Sequence, residues 1–91
     1  MQRSVVTIMV KIINVKCDGK TASCSFYAAA GGMTPEDAGF VRVNREKVIE
    51  YIPMKGYDAD DYCSCKFHAA WFLYDTFDME SVPETQDVYW Y

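Results

Sequence analysis

A chain of 91 residues that is 51% hydrophobic, with two Trp, seven Tyr and five Phe, has the apolar mass for one core and no room for a second domain. That composition excludes intrinsic disorder and a multidomain enzyme. Nine Lys and Arg against thirteen Asp and Glu leave a net charge of −4, which argues against a general nucleic-acid binder, because neutralising phosphates needs a cationic surplus.

In chain order, Arg3 and the apolar run over 4–10 imitate the start of a secretory signal. Lys11 breaks the run, and Asn14, Lys16 and Asp18 follow before the small residues at 28–30. A signal segment of about 7–15 apolar residues leads directly to its cleavage site, so this stretch reads as a strand and the chain as cytoplasmic. No run reaches the roughly 18 apolar residues of a membrane helix.

The β-branched and apolar stretch over 5–17 is followed by Asp18-Gly19, a two-residue hairpin signal, and by a return strand over 20–30. Pairing across that turn sets Cys17 opposite Lys20, Val15 opposite Ala22, Ile13 opposite Cys24 and Met9 opposite Ala28. Met9, Ile13, Val15, Ala22, Cys24, Phe26 and Ala28 then share an apolar face, with Val10, Ile12 and Tyr27 on the mixed one. Gly31-Gly32 ends the hairpin, and 33–39 reads as a loop or one helical turn around Thr34-Pro35-Glu36-Asp37. A second hairpin takes 40–43 and 47–52 around Asn44-Arg45-Glu46, stopped by Pro53, with a connector at 54–57 centred on Gly56.

Asp58 suits an N-cap, with Asp60 and Asp61 in a first turn, for a helix over 59–79. Its apolar stripe collects Tyr62, Cys63, Ala69, Ala70, Leu73 and Phe77, and Ser64, His68, Trp71, Asp75 and Asp78 lie opposite. Lys66 falls in the stripe, so either it snorkels or the stripe is rotated. Pro83 closes the region, and 88–91 is a short terminal strand. The fold class is α+β: one domain over 1–91, an antiparallel sheet of two hairpins, about four strands plus the short fifth, packed on one long C-terminal helix.

Four cysteines, Cys17, Cys24, Cys63 and Cys65, raise three readings. Zinc would use Cys63, Cys65 and His68 with Cys17 or Cys24, but C-x-C inside a helix points its sulfurs about 200° apart. A disulfide needs an oxidising compartment. Free thiols acting as small buried hydrophobes are preferred. A Ser64–His68–Asp75 relay can be drawn on one exposed helix face, without a water-excluded site. Asp58, Asp60 and Asp61 lack a calcium loop's glycine and glutamate, whose places hold Cys63 and Ala69. Gly31-Gly32 lacks the rest of a phosphate loop. No catalytic, cofactor or metal residue is assigned.

Residues 1–57 carry eight Lys and Arg against five acids, whereas 58–91 carry Lys66 alone against eight. An acidic surface of that kind either solubilises the helix or docks a basic partner. The terminal Tyr89, Trp90 and Tyr91 are the candidate partner-binding residues, since Tyr and Trp dominate interface hot spots. The expectation is a small non-enzymatic protein of bacterial or phage type that works through protein–protein contacts and self-association, with no cofactor, membrane or direct nucleic-acid contact. An acidic inhibitor that mimics nucleic acid toward a basic protein, or a cysteine-based metal or redox protein, are the alternatives.

Overall fold

The structure, a computed structural model, describes residues 8–90. Its elements are β1 (Ile8–Cys17), β2 (Thr21–Tyr27), two short 3-10 turns (Ala29–Gly31 and Pro35–Asp37), β3 (Gly39–Asn44), β4 (Val48–Ile52), α1 (Ser64–Thr76) and β5 (Gln86–Trp90). The sheet runs β4-β3-β2-β1-β5 with every neighbour antiparallel, and α1 packs against β1, β2 and β3. This is the expected α+β arrangement, with the terminal strand paired to its own sheet. Residues 5–7 of the first predicted strand, and Tyr91 of the last, lie outside the described residues. No described helix is long and apolar enough to cross a membrane.

The first hairpin forms, but with a different register. Ile13 faces Ser25 rather than Cys24, and Cys17 faces Ala22 rather than Lys20. The turn is shifted one residue along the chain. Gly19 takes the left-handed position with φ +87 and Lys20 follows it, while the Asp18 carboxylate accepts the N–H groups of Lys20 and Thr21, both at 2.8 Å. A glycine-first turn of this kind matches the strand twist, and the two amide bonds explain why Asp18 sits outside the turn.

A second irregularity decides the faces. Between Ile13 and Lys16 the register slips, so that Asn14 and Val15 together oppose Cys24, and Asn14 adopts φ 54. Asparagine tolerates the left-handed region better than any β-branched neighbour would. The bulge turns Val10, Ile12 and Val15 to the same side. Val10 and Ile12 are fully buried there, whereas Met9 and Ile13 are only half-buried on the other side. Strict alternation therefore assigned Met9, Ile13, Val10 and Ile12 to the wrong faces.

Thr34 and Asp37 cap the turn over Pro35–Asp37, as Asp37 Oδ2 accepts the Thr34 N–H at 3.0 Å. β3 and β4 form the second hairpin, and Asn44 Oδ1 accepts the N–H groups of Glu46 and Lys47, both at 2.8 Å. The core joins Val10, Ile12, Ala22, Cys24, Phe26, Val41 and Val43 of the sheet to Cys65, Ala69, Ala70, Phe72 and Leu73 of α1, with Met54 at its margin. The opposite sheet face is laced by cross-strand ion pairs, Arg42 with Glu50 at 2.6 Å and Lys11 with Asp87 at 3.6 Å.

The helix is shorter than its sequence pattern. It starts at Ser64 rather than 59, because the acids at 58–61 close a turn of their own. The Asp58 N–H donates to Asp61 Oδ2 at 2.8 Å and the Asp61 N–H to the Asp58 carbonyl at 3.0 Å. Cys63, in extended backbone, takes the N-cap position without a side-chain cap bond. At the other end Thr76 Oγ1 donates to the Leu73 carbonyl at 2.6 Å, and the helix stops before Phe77. Its buried stripe is rotated to include Cys65, Phe72 and Thr76 beside Ala69, Ala70 and Leu73. Tyr62 lies outside the helix and is 80% exposed.

Gly39 marks the closest backbone approach. A Cβ there would stand 2.6 Å from the Ile52 carbonyl oxygen and 2.8 Å from the Met54 nitrogen. Gly39→Ala should therefore destabilise the fold by about 1–3 kcal/mol, the usual cost of overpacking. Denaturant unfolding checks this, and a wild-type midpoint would contradict the close approach.

Candidate binding cleft

The turn over 58–61 and the helix start act together to build one exposed feature. Cys63 is buried and anchors the chain at the N-cap, so the residue before it is thrown outward. One turn on, Phe67 (40% exposed) and Trp71 (59% exposed) lie four residues apart on the outward face of α1, the face opposite the Ala69-Ala70 contact.

These rings form a connected wall. The Tyr62 and Phe67 centroids are 5.6 Å apart, Phe67 and Trp71 6.4 Å, with tilts of 38° and 37°. His68 meets Trp71 edge-on at 5.0 Å. Together with Ser64 the four rings line a hollow of about 290 Å³. No acid lines it, but exposed acids stand near it along the chain: Asp58, Asp60 and Asp61 precede Tyr62, and Asp75 follows Trp71 by one turn. Lys66 is half-buried and turned to the core side, its ammonium 4.3 Å from the Tyr51 ring centroid and 5.7 Å from that of Phe67.

Partial burial holds the His68 imidazole below its ordinary value of 6.5, and the Trp71 indole is one of the groups packed against it. The Ser64–His68–Asp75 relay does not assemble into a reaction site. Asp75 lies seven residues beyond His68, roughly 10 Å along the axis, and the hollow is open to water. Among the described residues, Ser64 and His68 line the hollow and Asp75 does not.

Beneath the cleft, Tyr51 stacks on Phe26 at 6.4 Å, and its hydroxyl is buried without a nitrogen or oxygen partner. Burial first, and the adjacent Cys63 second, push this hydroxyl above its ordinary value. The C-x-C pair is split across the helix start, so the Cys63 and Cys65 thiols are neighbours and not opposed, as a pair inside a helix would be. All four cysteines are free, and burial pushes Cys65 up to about 11 and Cys24 up to about 12. Such thiols are almost wholly protonated and behave as hydrophobes. Among the described residues, no three His, Cys, Asp or Glu side chains converge as a metal site.

Of the residues singled out at the C-terminus, Tyr89 pairs with Met9 and is 60% exposed, Trp90 pairs with Ile8, and Tyr91 lies outside the described residues. Tyr89 and Trp90 belong to the edge strand β5, and neither lines the cleft. Sequence reasoning placed His68 and Trp71 outward but did not join them to Phe67 and Tyr62. The available signal was the pair Phe67 and Trp71 at helical spacing opposite two alanines. A larger hollow of about 510 Å³ lies by the first hairpin turn, lined by Lys16, Cys17, Asp18, Thr21, Ser23 and Arg42. Its charges are mixed, and Arg42 is already bonded to Glu50.

Comparison with protein-family models, curated proteins and solved structures finds no match for this chain. Its own geometry is what bears on function.

In an NMR titration, the His68 imidazole should show a midpoint below 6.5, and Trp71→Ala should return it toward 6.5 by rehydrating the ring. Because the folded value is the lower one, the unfolded chain binds the extra proton first. The stability contribution is therefore present above about pH 6.5 and lost as pH falls below it. A midpoint unmoved by Trp71→Ala would mean that the indole is not what shields the ring.

Proposed function

We propose that this protein is a binding module without catalytic chemistry, which docks a basic polypeptide on the outward face of α1 and the acidic turn before it. The observation that carries this reading is the exposed wall of Tyr62, Phe67 and Trp71. Large aromatics left together in water are costly, and aromatic clusters with a polar rim are the usual anchors of interfaces. The rim here is acidic at both ends, so a partner carrying Lys and Arg is complementary and an acidic one is repelled. The 13-residue helix separates the two groups of acids by roughly 20 Å, which suits an anchored peptide better than a continuous ridge of phosphate mimics.

A labelled synthetic peptide rich in Arg, Lys and Leu should bind with an affinity that falls as salt rises. Trp71→Ser should weaken it about tenfold or more, as for an interface hot spot, while Tyr89→Ser leaves it unchanged. Absence of binding, or binding indifferent to Trp71→Ser, would overturn this reading.

One observation favours a second partner, another copy of this chain. Among the described residues β5 is the edge strand of the sheet, and Tyr89 stands exposed on it. Unpaired strand edges are templates for pairing. On this reading sedimentation shows a dimer that Tyr89→Lys dissociates. A monomer at every concentration, or a dimer untouched by Tyr89→Lys, removes it.

A further inference from the structure

We infer that the hollow between Tyr62 and Trp71 is a seat for one cationic side chain, a guanidinium or an ammonium, of the partner segment. This rests on the docking reading above and names the chemistry of the anchoring contact. Three observations carry it.

The first is how this chain uses its other aromatic rings. Arg42 sits 5.3 Å from the Phe40 centroid, Arg45 4.8 Å from that of Phe77, and Lys66 4.3 Å from that of Tyr51. In each case a cation lies against a ring face, where the quadrupole attracts it. Among the described residues, Tyr62 and Trp71 have no such cation, although they are two of the most exposed rings. Phe67 between them already has Lys66 at 5.7 Å.

The second is shape. The tilted rings make a concave wall and not a closed stack, and the hollow they line, about 290 Å³, is open to water on one side. A hollow of that size admits one extended Arg or Lys side chain with room to spare. Trp71 is also the ring type with the strongest attraction for cations.

The third is charge. Asp58 and Asp60 are exposed in the turn leading to Tyr62, and Asp75 lies one turn past Trp71. None of them lines the hollow, and at the two ends of the aromatic wall they add negative charge that outnumbers the Lys66 ammonium beside Phe67, which favours approach of a cation and leaves its face-on contact to the aromatics.

The test uses the whole protein labelled with nitrogen-15 and short capped glycine peptides, each with one central residue: Arg, Lys, citrulline or Leu. The Arg and Lys peptides should shift the Trp71 indole N–H saturably in the millimolar range. Tyr62→Ser should weaken that binding about fivefold, and the Asp58→Asn, Asp60→Asn double variant should weaken it at low salt only. Citrulline, which keeps the shape of Arg without its charge, should give no saturable shift. If citrulline and Leu bind as well as Arg, the docking face stands and the cation seat is overturned. If no short peptide binds while the long basic peptide still binds through Trp71, the cation seat falls alone. If neither binds, both readings fall.

Discussion

The packing of this protein turns on how close a helix can come to the middle of its sheet. β2 is the central strand, and under the helix it presents Ala22 and Cys24, both fully buried. Opposite them α1 offers Ala69 and Ala70. Small residues on both sides let the axis settle near the sheet, and the larger Phe26, Ile12, Leu73 and Phe72 then fill the space around that contact. With the alanines fixed inward, the rotation of the helix is fixed too. Phe67 and Trp71 are driven outward, and no hydrophobic choice at those positions can draw them into the core. The exposed wall is thus a consequence of the small-residue contact beneath it.

That contact in turn depends on β1 keeping a continuous inner face. An uninterrupted strand would bury either Val10 and Ile12 or Val15, never all three. The Asn14 bulge resolves the conflict by adding one residue, and its left-handed backbone suits asparagine. The same insertion leaves Ile13 half-buried on the other face beside the ion-paired positions, where a single apolar residue does no harm.

Much of this architecture is legible in the sequence. The two hairpins, a loop or helical turn around Thr34–Asp37 and a short C-terminal strand all follow from turn residues and β-branched runs. The register does not, because Asp18 bonds two amides ahead and shifts the turn, and because Asn14 resembles any polar residue on an outward face. The start of the helix is hidden for a related reason. The Asp61 carboxylate accepts the Asp58 N–H and the Asp61 N–H closes the turn on the Asp58 carbonyl, so these acids serve a turn of their own instead of the helix start, and residue types alone do not distinguish the two uses. The cleft is half legible: helical spacing finds Phe67 and Trp71, but Tyr62 joins them only because the helix begins five residues later than its acids suggest. The C-terminal aromatics announce a strand, and what that strand meets beyond its own sheet is not written in its composition.

The order of the strands also shapes how the chain can fold. β1 is flanked by β2, its near neighbour in sequence, and by β5, where Met9 meets Tyr89 across eighty residues of chain. The hairpins and the helix are built from local contacts and can collapse early. The fifth strand has to close the largest loop in the molecule before it gains a single ladder bond, so loop-closure entropy places it last. Until it docks, the outer edge of β1, with its row of apolar and β-branched residues, stands open to other chains. The late strand therefore acts as the cover of an aggregation-prone edge, and the interval before it arrives is when a nascent or refolding chain is most exposed to its own copies.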